Sequence, residues 1–242
     1  MVKLSPELVA SSAQFFNPIK ERELDLRGNK IVTIENLGTT RDSFDVIDFS
    51  DNEIARMENF PLLRRLHTLF FNNNRLNYID EKLGEKNLQN LETLILTNNY
   101  FKELYELNGL KTFKKLKSIS LLDNLVNKKE NYRLYLIFLL PTLKYLDFIK
   151  VKKIERDRSK HIYGTLAKPT EEAQKILGIT KTAAVISTET SNKQASALTE
   201  KPALSPEEIM KIKKAIIQAK TLQEVEYYKQ ALKQGILPKE LH

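Results

Sequence analysis

Apolar residues recur in one fixed phrase five times between residues 21 and 126: apolar, x, apolar, x, x, Asn, x, apolar. The copies are Leu24-Asp25-Leu26…Asn29…Ile31, Ile47-Asp48-Phe49…Asn52…Ile54 and Leu69-Phe70-Phe71…Asn74…Leu76, then Leu94-Ile95-Leu96…Asn99…Phe101 and Ile119-Ser120-Leu121…Asn124…Val126. Each alternation predicts a short strand that points its apolar side chains into a shared core. A further apolar residue stands three positions before four of the strands (Phe44, Leu66, Leu91, Leu116). Glu21 takes that place in the first unit, as expected where a terminal unit meets solvent or a cap. The Asn side chain is both donor and acceptor. It is therefore read as a ladder that satisfies turn backbone removed from water by stacking, not as a ligand.

The asparagines advance by 23, 22, 25 and 25 residues, which is leucine-rich-repeat spacing. The fold class that follows is an α/β solenoid, a horseshoe with a parallel concave sheet and short helices or 3₁₀ turns on the convex side. Both ends need covers. At the start, Ser5-Pro6 reads as N-cap and N1 and Leu4 with Val9 as a hydrophobic staple, so residues 6–16 are expected to be helical. Toward the end, Tyr132, Tyr135, Leu136 and Leu139 predict a helix over 129–139, stopped by Pro141. Leu143…Leu146-Asp147-Phe148 then begins one more unit, with Val151 where Asn is expected, and reads as the closing cap. The repeat domain with its caps is assigned to 1–160 and a poorly ordered linker to 161–203, Ala/Thr/Ser-rich from 164 onward. Two short amphipathic helices are assigned to 204–238, opened by Ser205-Pro206 and closed by Gly235 and Pro238. They are too small to bury a core alone, so they fold back or dock on a partner.

Composition narrows the chemistry. A formal charge of +8 favours an acidic partner, nucleic acid first. The absence of cysteine removes disulfides, thiolate zinc sites and a Cys nucleophile. No apolar run approaches the ~20 residues of a bilayer span, and the start does not read as a signal peptide, so a soluble intracellular protein is expected. His67, His161 and His242 are scattered, and neither a Gly-rich phosphate loop nor a G-x-S-x-G elbow occurs. Asp25 and Asp48 are possible neighbours on adjacent strands, but with no ligand set around them a partner-contacting role is the better reading. The expectation is a binding protein with no cofactor or metal, not an enzyme.

The outward positions of the strands carry the binding reading. Asp25, Asp48, Phe70, Ile95, Ser120 and Asp147 alternate with the core residues, flanked by Arg27, Val46, Asn72, Thr97, Leu122 and Tyr145. An apolar middle of Val46, Phe70, Ile95, Leu122 and Tyr145 rimmed by carboxylates and an Arg suits a partner helix bearing Lys or Arg. Basic residues cluster elsewhere: Lys20, Arg22 and Lys30 near the first repeat, Lys111 to Lys117 near the fifth, and Lys150, Lys152, Lys153, Arg156 and Arg158 past the cap. They are available to phosphates. No aromatic platform of the RNA-recognition-motif kind accompanies them.

Several exact stretches go further than generic repeats. Arg22-Glu-Leu-Asp-Leu-Arg-Gly28, Asp48-Phe-Ser-Asp-Asn-Glu-Ile54 and Phe60-Pro-Leu-Leu-Arg-Arg-Leu66 are the first of them. Asn72-Asn-Asn-Arg75, Leu94-Ile-Leu-Thr-Asn-Asn99, Asn131-Tyr-Arg-Leu-Tyr135, and Leu146-Asp-Phe148 with Lys150-Val151 follow in order. Together they resemble the A-prime family of the spliceosomal U-two small nuclear ribonucleoprotein over residues 1 to about 155, and again from Thr221-Leu-Gln-Glu-Val-Glu226 through Gly235 and Pro238. The resemblance implies a nuclear pre-mRNA splicing adaptor. Its concave sheet holds a helix of the B-double-prime RNA-recognition-motif protein, and the pair binds a stem-loop of U-two small nuclear RNA. Carried onto this chain, Asp25, Arg27, Asp48, Phe70 and Ile95 become partner contacts, with Val46, Leu122 and Tyr145 beside them. Lys20, Arg22, Lys150, Lys152 and Lys153 become the RNA-contacting candidates, and residues 204–238 a possible contact for other spliceosomal proteins. The alternative is a repeat scaffold of the phosphatase-regulatory or cytoskeletal kind, indifferent to RNA.

Overall fold

A short strand buries one row of side chains but leaves its backbone donors and acceptors open on both edges, so each repeat needs a neighbour on either side. The computed structural model, which describes residues 2–178, shows how that need is met. The elements are, in chain order, β1 (Val2–Lys3), α1 (Pro6–Ser11), β2 (Ala13–Phe16), β3 (Arg22–Asp25), β4 (Ile31–Thr33) and β5 (Val46–Asp48). Next are β6 (Arg56–Met57), β7 (Thr68–Phe70), β8 (Tyr78–Ile79), α2 (Leu83–Lys86), β9 (Thr93–Ile95) and β10 (Ser118–Ser120). The C-terminal elements are α3 (Tyr132–Leu139), β11 (Tyr145–Leu146), β12 (Ile149–Lys150), α4 (Lys153–Tyr163), β13 (Gly164–Thr165), β14 (Lys168–Pro169) and α5 (Glu171–Leu177). Short 3₁₀ turns at Leu37–Thr40, Leu104–Thr112 and Leu125–Lys128 occupy the side away from the main sheet.

That sheet has eight strands in the order β12-β11-β10-β9-β7-β5-β3-β2. Strands β3 through β11 run parallel, and the register aligns Leu24, Ile47, Leu69, Leu94, Ile119 and Leu146 in one row, every one of them buried. A second row, Leu26, Phe49, Phe71, Leu96 and Leu121, is fully buried as well, and Phe49 stacks on Phe71 at 5.0 Å.

The asparagine ladder holds the turns. Asn99 accepts from Leu76 N at 2.9 Å and donates to the carbonyls of Phe71 at 2.8 Å and Leu96 at 3.0 Å, so one side chain ties the fourth repeat to the third. Asn52, Asn74 and Asn124 repeat the pattern, accepting from Ile31, Ile54 and Phe101. Asn29 has no repeat before it and keeps only a 3.1 Å bond to the Arg27 carbonyl. The residue before each ladder Asn has left-handed backbone: Gly28 (φ 69°), Asp51 (60°), Asn73 (56°), Asn98 (55°) and Asp123 (58°). Gly, Asn and Asp are the residues that tolerate it, which explains their recurrence there.

The N-terminal end differs from the sequence expectation. The helix expected over 6–16 stops at Ser11, capped at its start by a Ser5 Oγ bond to Leu8 N. Residues 13–16 form β2 instead, antiparallel to β3. The open edge of the first repeat strand offers unpaired backbone groups, and satisfying them outweighs extending a short helix. At the other end, Leu146 pairs in parallel register with Ile119 as a repeat strand does, and the segment then closes the sheet as the cap. Asp147 and Phe148, at φ 52° and 62°, turn the chain into β12, which runs antiparallel to β11 and closes that edge. In the earlier repeats the residue at the Leu121 position donates to a backbone carbonyl of the next strand; here the Asp147 carboxylate takes that place, accepting from Leu121 N at 2.8 Å.

The folded unit also runs past residue 160. Helix α4 continues to Tyr163, which is 1% exposed and packs on Tyr135 and Phe138 at 5.4 and 5.6 Å. Asn108 donates to the Ile176 carbonyl at 3.0 Å, and Ala173 is fully buried. Residues 161–178 are therefore part of the cap, not linker; Ala173, Ile176 and Leu177 have helical spacing, but α5 is only seven residues long and its pattern covers a single turn. The remaining linker and the helices expected over 204–238 lie outside the described residues.

Candidate functional site

The outer face of the sheet presents three columns, one position before, one after and three beyond the row that begins with Leu24. The middle column runs Asp25, Asp48, Phe70, Ile95 and Ser120, as the alternation requires. Asp25 and Asp48 are register partners, and Arg27 lies across both, 2.7 Å from the Asp25 carboxylate and 3.7 Å from that of Asp48. The guanidinium's hydrogen bond holds the Asp25 carboxyl below the usual carboxylate range. Two acids side by side thus become a clamp around one Arg. The arrangement supplies directed charge for a polar partner group and no proton-shuttling pair.

Phe70 is half-buried in a groove of about 1010 Å³ that runs along the strand starts between the β2–β3 loop and the third and fourth repeats. Ile19, 72% exposed, stands on its wall. Val46 and Ile95, expected as exposed members of an apolar middle, are 1% and 7% exposed. They point toward the sheet's outer side but form its floor, because neighbouring strands only about 4.8 Å apart let flanking side chains close over a mid-sized residue. Exposed apolar area is displaced to the ends instead. Leu122 (37%) and Tyr145 (46%) lie toward the C-terminal end, Phe15 (42%) and Phe16 (67%) on β2 at the other.

Sequence alternation missed part of the face. Glu23, Thr68 and Thr93 share the column of Val46 and Tyr145, and all three line the same groove as Phe70. The signal was present in the strand register. His67 stands at the groove's rim, its ring 3.4 Å from Glu21 and bonded to Thr68. Arg65 pairs with Asp45 at 2.7 Å, which removes it from the free basic surface. Among the described residues no group of three or more His, Cys, Asp or Glu could hold a metal ion, and no helix is long and apolar enough to cross a membrane.

The basic candidates do not converge. Lys20 and Arg22 lie at the β2–β3 end, where Arg22 sits over the Phe16 ring at 5.8 Å. Lys150, Lys152 and Lys153 lie at the β12 end, seven strands away, or roughly 30 Å along the sheet. Arg156 is a structural residue: it donates to the carbonyls of Pro141, at 2.8 Å, and Leu143.

With this geometry in place, a leucine-rich-repeat family model matches residues 1–177, the same extent as the folded unit. Similar curated proteins are the U2 small nuclear ribonucleoprotein A' of Arabidopsis thaliana, 47% identical over 98% of this chain and 93% of its own, and that of Homo sapiens, 45% identical over 98% and 90%. The chain belongs to the U2 small nuclear ribonucleoprotein A' family of leucine-rich-repeat proteins. The Schizosaccharomyces pombe member is 40% identical and is covered along its whole length. A chain in the crystal structure of the Drosophila melanogaster SNF/U2A' complex is 47% identical, with a TM-score of 0.66 over 74% of this chain and all of that one. In that A'-family structure the repeat protein is paired with a second protein.

Proposed function

We propose that this chain is a non-enzymatic adaptor of the spliceosomal U2 particle that acts in the nucleus in pre-mRNA splicing. Its outer sheet face holds a helix of a B-double-prime-type RNA-recognition-motif protein, and the two together bind a stem-loop of the U2 small nuclear RNA. The observation that carries the reading is the 47% identity to a chain of the SNF/U2A' complex, on a face whose chemistry fits such a partner. Phe70 offers an apolar seat in the groove, and the Asp25–Arg27–Asp48 clamp offers directed charge on the same face, Asp48 being the register partner of Phe70. Division of labour follows from the surface. The groove is suited to a helix, so base recognition falls to the partner's motif while this chain fixes its orientation and adds phosphate contacts. Holding the partner in its RNA-competent form lowers the ordering cost of RNA binding.

The test is a titration of labelled U2 stem-loop with the partner, with and without this chain. Tighter and more selective binding in the presence of a chain that binds weakly alone is the expected result. Two proteins that fail to associate, with RNA affinity unchanged, would leave a repeat scaffold serving another partner.

A further inference from the structure

The two ends of the eight-stranded sheet are finished differently. At one end β12 is two residues long, includes Lys150, and has its Ile149 and Lys150 carbonyls bonded at 3.4 Å by the Arg133 guanidinium. Shortness and positive charge are ordinary means of keeping an edge from pairing further. At the other end β2 has neither. It runs four residues, Ala13-Gln-Phe-Phe16, with no charge and no proline, and all four are exposed. Asn17 N donates to the Glu21 carbonyl at 2.9 Å, and hydrogen-bonded pairs alternate along an antiparallel ladder. Ala13 and Phe15 therefore turn their backbone groups toward β3, while Gln14 and Phe16 turn theirs away. Their N–H groups and carbonyls are presented to an edge beyond which no strand lies among the described residues.

The same edge carries a seat for side chains. A cavity of about 320 Å³ lies against β2, lined by Gln14, Phe15, Phe16, Arg22, Ser43 and Phe44. It is on the core side of the sheet, since Gln14 and Phe16 are the register partners of Leu24 and Arg22. Phe44 is buried there, whereas Phe16 is 67% exposed. Arg22 is the one charged residue of the lining. Its guanidinium sits over the Phe16 ring at 5.8 Å and has no ion pair among the described residues. The acids on either side of it in sequence, Glu21 and Glu23, line the partner groove on the opposite face. An open strand edge, an apolar cavity and a cation without a counter-ion thus meet at one place.

We propose that β2 takes up an extended segment of another protein as a further strand. That segment lays an apolar side chain in the cavity and, two positions along, a carboxylate on Arg22. Backbone pairing supplies the affinity of such strand addition, and alternate side chains supply its selectivity. Charge decides the occupant. β2 itself contains no acid, so a second copy paired through it would leave both Arg22 side chains without a counter-ion. The cavity lies on the face of the sheet opposite the partner groove, and the inference does not rest on the proposed function.

The experiment is fluorescence anisotropy with the full chain and a labelled octapeptide, Thr-Leu-Thr-Glu-Thr-Leu-Thr-Glu, which places Leu and Glu on one strand face. Replacing both Glu by Lys is expected to weaken binding about tenfold or more. Arg22→Gln should bring the two peptides to within about twofold of each other. N-methylation of every second peptide nitrogen should abolish binding in one of the two alternate sets and spare the other, because only one set faces β2. Gln14→Pro, a change tolerated on an edge strand, removes an outward N–H and should weaken binding about tenfold. It should lower the melting temperature by about 2 °C or less and leave the RNA-recognition-motif partner bound. An acidic peptide that fails to bind, or that binds no better than its Lys version, overturns the proposal. So does equal binding by both N-methylated sets. Loss of the RNA-recognition-motif partner in Gln14→Pro would make the edge part of that interface, and a dimer of the full chain dispersed by Gln14→Pro would give it to a second copy. Binding that arises only once residues 179–242 are removed would give it to the chain's own C-terminal part; each of these three results overturns the proposal as well.

Discussion

Asn99→Ala tests whether the ladder holds the repeats together. The side chain is 4% exposed, and its loss strands two backbone groups that have no other hydrogen-bond partner among the described residues, the Leu76 N–H and the Phe71 carbonyl. The Leu96 carbonyl keeps its bond from Asn124, and the Thr97 carbonyl its bond from Asn73 N. An orphaned buried group costs about 1–3 kcal/mol, so two give about 4 kcal/mol, a large share of the 5–15 kcal/mol that holds a typical domain folded. Asn29→Ala is the control within the same ladder. Its side chain is half-buried with one bond to a carbonyl, and its loss should cost about 0.5–1 kcal/mol. In urea, with a slope of about 2 kcal/mol/M, the two substitutions separate: the midpoint falls by about 2 M for Asn99→Ala and by under 0.5 M for Asn29→Ala. Circular dichroism follows both transitions. Costs within about 1 kcal/mol of each other at unchanged slope would refute the ladder argument.

Three further outcomes follow from the same geometry. Phe70→Asp should abolish association with the RNA-recognition-motif partner at a stability cost of about 1 kcal/mol, since Phe70 is only half-buried, whereas Leu94→Asp should unfold the stack; pull-down and thermal melting check both, and loss of the cooperative transition in Phe70→Asp would mean that its side chain points inward. The Asp25 carboxyl, held low by Arg27, has a folded pKa below its unfolded value, so its contribution is complete above about pH 4 and vanishes as the pH falls through the lower folded value. Asp25→Asn should therefore lose less melting temperature than the parent between neutral and strongly acid pH, and equal losses would show that the clamp adds nothing. Finally, a chain cut after residue 160 removes the buried Tyr163 and Ala173 and the Asn108–Ile176 bond, and should be less stable than one ending at 178 by about 3–5 kcal/mol; equal denaturation midpoints would return residues 161–178 to the linker.

Much of this was legible without coordinates. The repeats and their direction follow from the spacing of Leu24, Ile47, Leu69, Leu94 and Ile119, because a side-chain period of two admits only one buried face. The ladder role of Asn52, Asn74, Asn99 and Asn124 follows from what a turn backbone requires once stacked. The outward placement of Asp25, Asp48 and Phe70 follows with them. Local rules also located α1's start and the α3 helix, whose caps and stops lie within a few residues of them.

What tertiary structure alone decided are the properties that depend on residues far apart in the chain. Whether Val46 and Ile95 are exposed depends on the side chains of the adjacent strands, about a repeat away in either direction. That residues 13–16 leave a helix for a strand depends on the unpaired edge of β3. The end of the cap depends on Asn108 reaching Ile176, 68 positions on. Arg27 and Arg156 look alike in sequence, yet one clamps two carboxylates on the open face while the other is bound to main-chain carbonyls. Periodicity determines which way a side chain points. How much of it meets water, and which charge it finds there, is set by neighbours that the chain brings together only on folding.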